Sequence, residues 1–202
     1  MSPSRGFRIP RCAVCQLPQD KCICKHLSPI LSDISLVLLQ HRKEIWRSSG
    51  TGNLVLRCFA NAKRLAPEDV DAFLNEAIIE DVVLLFPPDG EEIQGPSTSA
   101  HPSLGGHPRI LLVPDGSWSE ARRMVRKNPR LRSLPRISPP IGSPWIRNPL
   151  RQDKWERPCT AEAIGRCFEA WGQKSIAQQL RRSLQLFVDA HWQARGGIPK
   201  PD

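Results

Sequence analysis

The sequence predicts an α/β fold with a mostly parallel sheet flanked by helices. Three observations carry that reading. Short, continuous apolar runs occur at Ile34–Leu39, Val82–Phe86 and Ile110–Val113, as expected of strands buried on both faces. Segments with helical spacing follow them. Gly, Pro and Ser punctuate the joints. With 202 residues, 40% of them hydrophobic and 24% charged, the chain has material for one cored domain with a small appendage.

The elements can be taken in order. Residues 1–11 are a basic arm, and residues 12–29 carry four closely spaced cysteines. The expected division is therefore 1–29 as arm and cysteine module, and 30–202 as the α/β domain. Ile34–Gln40 reads as a strand and the polar stretch His41–Gly50 as a loop at its carboxyl end. Gly52–Leu65 has apolar residues at 54, 56, 58, 59, 62 and 65, which predicts a helix. Pro67–Ile79 reads as a second, acidic helix. Asp81–Phe86 is a strand stopped by Pro87-Pro88, and 88–107 is a long Gly/Pro/Ser loop. Arg109–Val113 is a strand running into Pro114-Asp115-Gly116. Ser117 followed by Glu120 is a capping box that starts a helix over Trp118–Lys127. Residues 129–158 are Pro-rich and basic, with strands expected near Leu134–Ile137 and Trp145. Thr160 is expected to cap a helix to Trp171, and a last helix spans Ser175–Trp192.

No apolar run approaches the ~20 residues of a membrane-spanning helix. The first residues have charge but no apolar stretch of the signal-peptide kind. A soluble, cytoplasmic protein without membrane contact is the expectation.

The formal net charge of +9 is unevenly spread. Residues 66–95 hold nine acids and no Lys or Arg, whereas 115–157 hold eleven bases and four acids. A basic stripe set apart from an acidic segment suits a polyanion. Arg122, Arg126 and Arg130 recur at helical spacing; Arg123, Lys127, Arg147 and Arg151 extend the stripe, with Trp145 and Trp155 available to stack on bases.

Cys12-x2-Cys15-x6-Cys22-x-Cys24 places four thiols within thirteen residues. That is the donor set of a closed, structural Zn²⁺ site. The spacing matches neither ferredoxin pattern, although iron remains the competing metal. Cys58 and Cys167 read as core residues.

Asp115 stands between a buried strand and a capped helix, where α/β sheets bind ligands. Nearby backbone N–H groups at Gly116, Ser117 and Trp118 suit a carboxylate, and Gly116 permits close approach. A carboxylate here suits a general base. Alternatively it only assists the cap while Trp118 packs in the core.

Taken together these elements resemble the DTW-domain family of tRNA-uridine aminocarboxypropyltransferases. The namesake corner stands here as Asp115-Gly116-Ser117-Trp118, with Glu120-Ala121-Arg122 after it. The cysteine cluster, His41-Arg-Lys-Glu44, Leu85-Phe86-Pro87 and Cys159-Thr160-Ala161-Glu162-Ala163 follow the family's motifs in order. Four positions depart from its pattern: Ser117 stands for Thr, Cys159 for Ser, Arg42 for Pro and Gly50 for Asn.

The resemblance implies a SPOUT-like fold with a C-terminal trefoil knot. It also implies transfer of the 3-amino-3-carboxypropyl group of S-adenosylmethionine to N3 of a tRNA uridine, releasing 5′-methylthioadenosine. Asp115 would be the base. Trp118 would pack on adenine or uracil, or in the core. Leu85, Phe86, Pro87, Val113 and Pro114 would offer backbone edges to adenine. Gly116, Ser117, Thr160, Ala161 and Glu162 would hold the aminocarboxylate end. His41 and Glu44 would line the uridine side or form a surface pair. tRNA would be the partner, with no obligate protein partner implied. Two other readings use the same features: an RNA-binding zinc protein without catalysis, and a SPOUT-type RNA methyltransferase.

Overall fold

The structure, a computed structural model, describes residues 10–87, 107–140, 142–146 and 158–196. Among these residues five strands form one parallel sheet: β1 (Ser35–Gln40), β2 (Ala62–Leu65), β3 (Val82–Leu85), β4 (Ile110–Asp115) and β5 (Arg136–Ile137), in the order β2-β1-β4-β3-β5. The α helices are α1 (Arg42–Ile45), α2 (Thr51–Cys58), α3 (Val70–Glu76), α4 (Trp118–Lys127), α5 (Pro129–Ser133), α6 (Thr160–Ala170) and α7 (Lys174–Gln193).

Alternation along the strands sorts the core into two layers. Leu36 and Leu38 of β1, Leu85 of β3, and Leu111 and Val113 of β4 face a core shared with α2, α6 and α7. Val37, Leu39, Val82, Leu84 and Leu112 face the opposite core, with α3, α4 and α5. Cys12, Cys15, Leu17 and Ile23 belong to the first core, so the cysteine module rests on the same apolar mass as α2 and α7. No described helix is long and apolar enough to cross a membrane.

Several boundaries differ from expectation. The segment expected as one helix over Gly52–Leu65 is α2 followed by β2. Phe59 is extended and Ala62–Leu65 pairs with Leu36–Leu39 at the sheet edge; edge pairing overrides the helical spacing. Pro67–Ile79 divides into a 3₁₀ turn at Pro67–Asp69 and α3, ending before an extended Ala77. His41 caps a one-turn helix, α1, within the expected loop. Near Trp145 the described residues contain no strand. Most of the 88–107 loop and residues 147–157 lie outside the described residues, including Arg147, Arg151 and Trp155.

Candidate functional site

β1 and β4 lie side by side at the centre of the sheet, with Gln40 level with Asp115 at their carboxyl ends. After β1 the chain turns towards β2, and after β4 towards β5 on the other side. Such a reversal opens the crevice in which α/β proteins bind ligands.

Asp115 is the last residue of β4, not the residue after it. The residue is only 3% exposed. Gln40 Nε2 donates to Oδ2 at 2.9 Å and Thr160 Oγ1 donates to Oδ1 at 2.6 Å. Gly52, in the first turn of α2, makes room for it: a Cβ there would stand 2.1 Å from Oδ2. Gln40 Nε2 is also 3.0 Å from Asn53 Oδ1, which accepts from Arg64 at 3.2 Å as well. Asn53 Nδ2 in turn lies 2.9, 3.4 and 3.2 Å from the carbonyls of Glu44, Ile45 and Arg47. A buried carboxylate needs such donors to remain in place. Among the described residues Gln40 Oε1 has no hydrogen-bond partner.

Thr160 does not cap α6. Cys159 occupies the N-cap without a side-chain capping bond, and Thr160 is the first helical residue. Its hydroxyl is thereby directed to Asp115 while its side chain lines an adjoining cleft.

That cleft runs across the carboxyl ends of β3 and β4. Leu85, Phe86, Pro87, Val113, Pro114, Gly116, Trp118 and Thr160 line it, joined by Ala121, Pro139, Pro158 and Ala163. Its empty volume is about 510 Å³, open solvent at the mouth included. The walls are apolar, and Trp118 lies 5.9 Å from Phe86, ring to ring.

Other predicted residues have different occupations. Ser117 closes the expected capping box: its N–H donates to Glu120 Oε2 at 2.9 Å and its hydroxyl to the same oxygen at 2.6 Å. These bonds hold the Glu120 carboxyl below its usual range. The Ser117 N–H is therefore committed within the helix start. The Ala161 N–H reaches Thr51 Oγ1 at 3.4 Å. Glu162 is buried against Arg166 at 2.6 Å and accepts from the Trp145 N–H at 2.9 Å. It is a strut for the segment before α6, because the guanidinium it anchors also donates to the carbonyls of Pro140, Gly142 and Ser143. Trp145 itself is seated on α6 at Gly165, where a Cβ would be 2.0 Å from the indole.

His41 and Glu44 divide. His41 Nδ1 is 3.4 Å from Glu120 Oε1, at the start of α4. Glu44 is buried and pairs with Arg47 at 2.7 Å.

The basic stripe is shorter than its spacing implies. Asn128 breaks the helix between Arg126 and Arg130 and caps α5 with its side chain. Arg130 is consequently turned onto α3, donating to Asp71 O at 2.8 Å and Asn75 Oδ1 at 2.6 Å. Arg122, Arg123, Arg126 and Lys127 remain exposed along α4.

The four cysteine Sγ atoms all lie within 4.8 Å of one another. Cys12–Cys24 and Cys15–Cys22 are each 3.8 Å apart. Tetrahedral zinc with Zn–S bonds of ~2.3 Å requires sulfurs ~3.8 Å apart, so the donor set fits. Gln16 takes a left-handed φ of 61° and closes the turn between the two pairs, its N–H donating to Cys12 O at 2.9 Å. Backbone N–H groups of Cys15 and Val14 bring the Cys12 thiol down to about 6. Burial and the neighbouring thiols push Cys24 up to about 12. Four thiolates this close need a cation between them. Cys58 and Cys167 are core residues; burial pushes Cys167 up to about 12.

Gln40, Gly52, Asn53 and Arg64 join Asp115 without having been singled out as its partners. The only signal for them is a polar residue ending an apolar strand and a small-polar start to the next helix.

A family model described as the DTW domain matches residues 9–191. No solved structure matches this fold.

Proposed function

This chain belongs to the DTW-domain family, and from that membership we propose that it modifies tRNA. The reaction we propose is transfer of the 3-amino-3-carboxypropyl group of S-adenosylmethionine to N3 of a uridine. Membership supports a tRNA-modifying transferase in general; the choice of group and acceptor is our reading. The observation that carries it is the apolar cleft with Thr160 in its wall and Asp115 directly behind.

Uracil N3 is a poor nucleophile while protonated. In the proposed step N3 gives up its proton, the N3–C bond forms as the C–S bond breaks, and the electron pair leaves on sulfur as 5′-methylthioadenosine. A general base must reach the proton within hydrogen-bond distance, directly or through one intermediary. Asp115 is too buried for direct contact and both its oxygens are engaged. Thr160 supplies the intermediary: its hydroxyl accepts the N3 proton as it passes its own to Asp115 Oδ1. The apolar wall from Leu85 to Pro87 and Val113 to Pro114, with Trp118 opposite, suits an adenine face.

Zn²⁺, held by Cys12, Cys15, Cys22 and Cys24, would have no open coordination position and serves the fold. The test uses tRNA with S-adenosylmethionine labelled in either the carboxyl or the methyl group. Carboxyl label entering RNA is expected. Methyl label entering instead identifies a methyltransferase, and RNA binding without either label identifies a binder.

A further inference from the structure

Trp46 is 83% exposed, the most open of the large hydrophobic side chains among the described residues. It follows α1 directly and neither core uses it. Its backbone is nevertheless fixed. Asn53 Nδ2 reaches the carbonyls on both sides of it, those of Ile45 and Arg47, and that of Glu44. The other end of the same amide connects through Gln40 to Asp115. At the start of α1, the His41 N–H donates to Asp115 O at 2.9 Å. An indole left in water on a hydrogen-bonded mount, tied twice to the proposed base, is placed to meet a flat partner.

Cations flank it in the chain, Arg42 and Lys43 before it and Arg47 directly after. Arg42 and Lys43 have side chains 80% exposed, and Arg47 is exposed too. Their acids sit deeper: Glu44 is buried beneath Arg47, and Glu120 lies 3.9 Å from Lys43. Arg42 pairs with Glu68 at 2.8 Å on the surface. Exposed pairs of this kind are weak, so a phosphate can take over the cation. Glu120 also connects the patch to α4, where Arg123 lies one turn further along the same face.

We propose that Trp46, Arg42, Lys43 and Arg47 form a docking platform for a single-stranded RNA segment. One base stacks on the Trp46 indole, and the cations take the phosphates on either side of it. Aromatic stacking needs an unpaired base, so the platform prefers loop RNA to a duplex. The inference rests on the tRNA-modifying reading and specifies how the RNA beside the reactive uridine is gripped.

The test measures binding of a labelled oligouridylate and of a blunt RNA duplex by the zinc-loaded full chain. Trp46→Ala is expected to weaken oligouridylate binding about 5- to 100-fold, with duplex binding and melting temperature little changed. Trp46→Phe, which keeps an aromatic face, should stay within about 3-fold of wild type. Lys43→Gln should reduce the slope of log affinity against log salt by about 0.7, whereas Trp46→Ala should leave it unchanged. Unchanged oligouridylate affinity in Trp46→Ala overturns the platform; if wild type still transfers label to tRNA, the enzymatic reading stands without it. Absence of oligouridylate binding by wild type overturns the platform, and absence of label transfer to tRNA as well overturns both.

Discussion

At Asp115 both carboxylate oxygens accept hydrogen bonds inside the protein, so a change there acts on folding and chemistry together. Asp115→Asn puts an amide donor against either Gln40 Nε2 or the Thr160 hydroxyl. Loss of about 1–3 kcal/mol of stability is expected, with transfer lowered by about 10²–10⁴-fold. Thr160→Ser should keep transfer, while Thr160→Val should remove it with little loss of S-adenosylmethionine affinity; single-turnover transfer and equilibrium binding separate the two. Gly52→Ala drives a methyl into Asp115 Oδ2. It should cost about 1–3 kcal/mol by chemical denaturation, as overpacking does. His191 has its own pH signature. Burial brings its imidazole down to about 4, with Arg195, Arg57 and Arg11 adding to the effect. The unfolded chain then binds the extra proton between pH ~6.5 and ~4, so stability falls as pH falls through that window and levels off below it. His191→Gln should flatten the stability profile there. Asp115 and the cysteines were legible because their chemistry is local: a turn after a strand, and thiols within thirteen residues. Gln40 and Thr160 were not legible as partners of Asp115, nor Asn53 as a partner of Gln40, because strand register and helix docking bring them together from distant positions.

At the scale of elements, caps decided more than periodicity did. Ser117–Glu120 marked the start of α4 correctly because the box is written in four consecutive residues. Asn128 ended the helix against the Arg spacing, since its side chain satisfies the N–H groups of Arg130 and Leu131. Arg130 therefore leaves the helix that carries Arg122 and Arg126, while Arg147 and Arg151 lie outside the described residues. β2 was unreadable as a strand: Ala62-Lys-Arg-Leu65 is polar because it lies at the sheet edge, where only one side is paired. The segment before α6 depends on a notch, as Trp145 needs the missing Cβ of Gly165. Gly165→Ala should displace the indole and free the Glu162–Arg166 pair from its backbone partner. Loss of about 1–3 kcal/mol of stability and a red-shifted Trp emission are expected; unchanged emission would count against the packing described.

For the molecule as a whole, the cysteine cluster and the sheet share one apolar core. Cys12, Cys15, Leu17 and Ile23 share a core with α2, α6 and α7, and α2 carries Gly52 and Asn53. Removing zinc with a strong chelator should lower the melting temperature by about 10 °C or more and reduce transfer, although none of these four cysteines is among the described residues that line the cleft. Metal analysis should find one zinc per chain, absent from the Cys12→Ser/Cys15→Ser double variant. The three-layer architecture was legible because buried parallel strands are continuous apolar runs. Strand order was not, since nothing in a run of Leu and Val names its neighbour. That gap has a consequence in time. Leu36 pairs with Ala62 on one side and with Leu111 on the other, the second partner being made 75 positions later. While the chain is synthesised, β1 is complete long before β4 exists to cover it. Refolding should therefore be slow, and its yield should fall as protein concentration rises. The residues that centre the site are the ones left waiting.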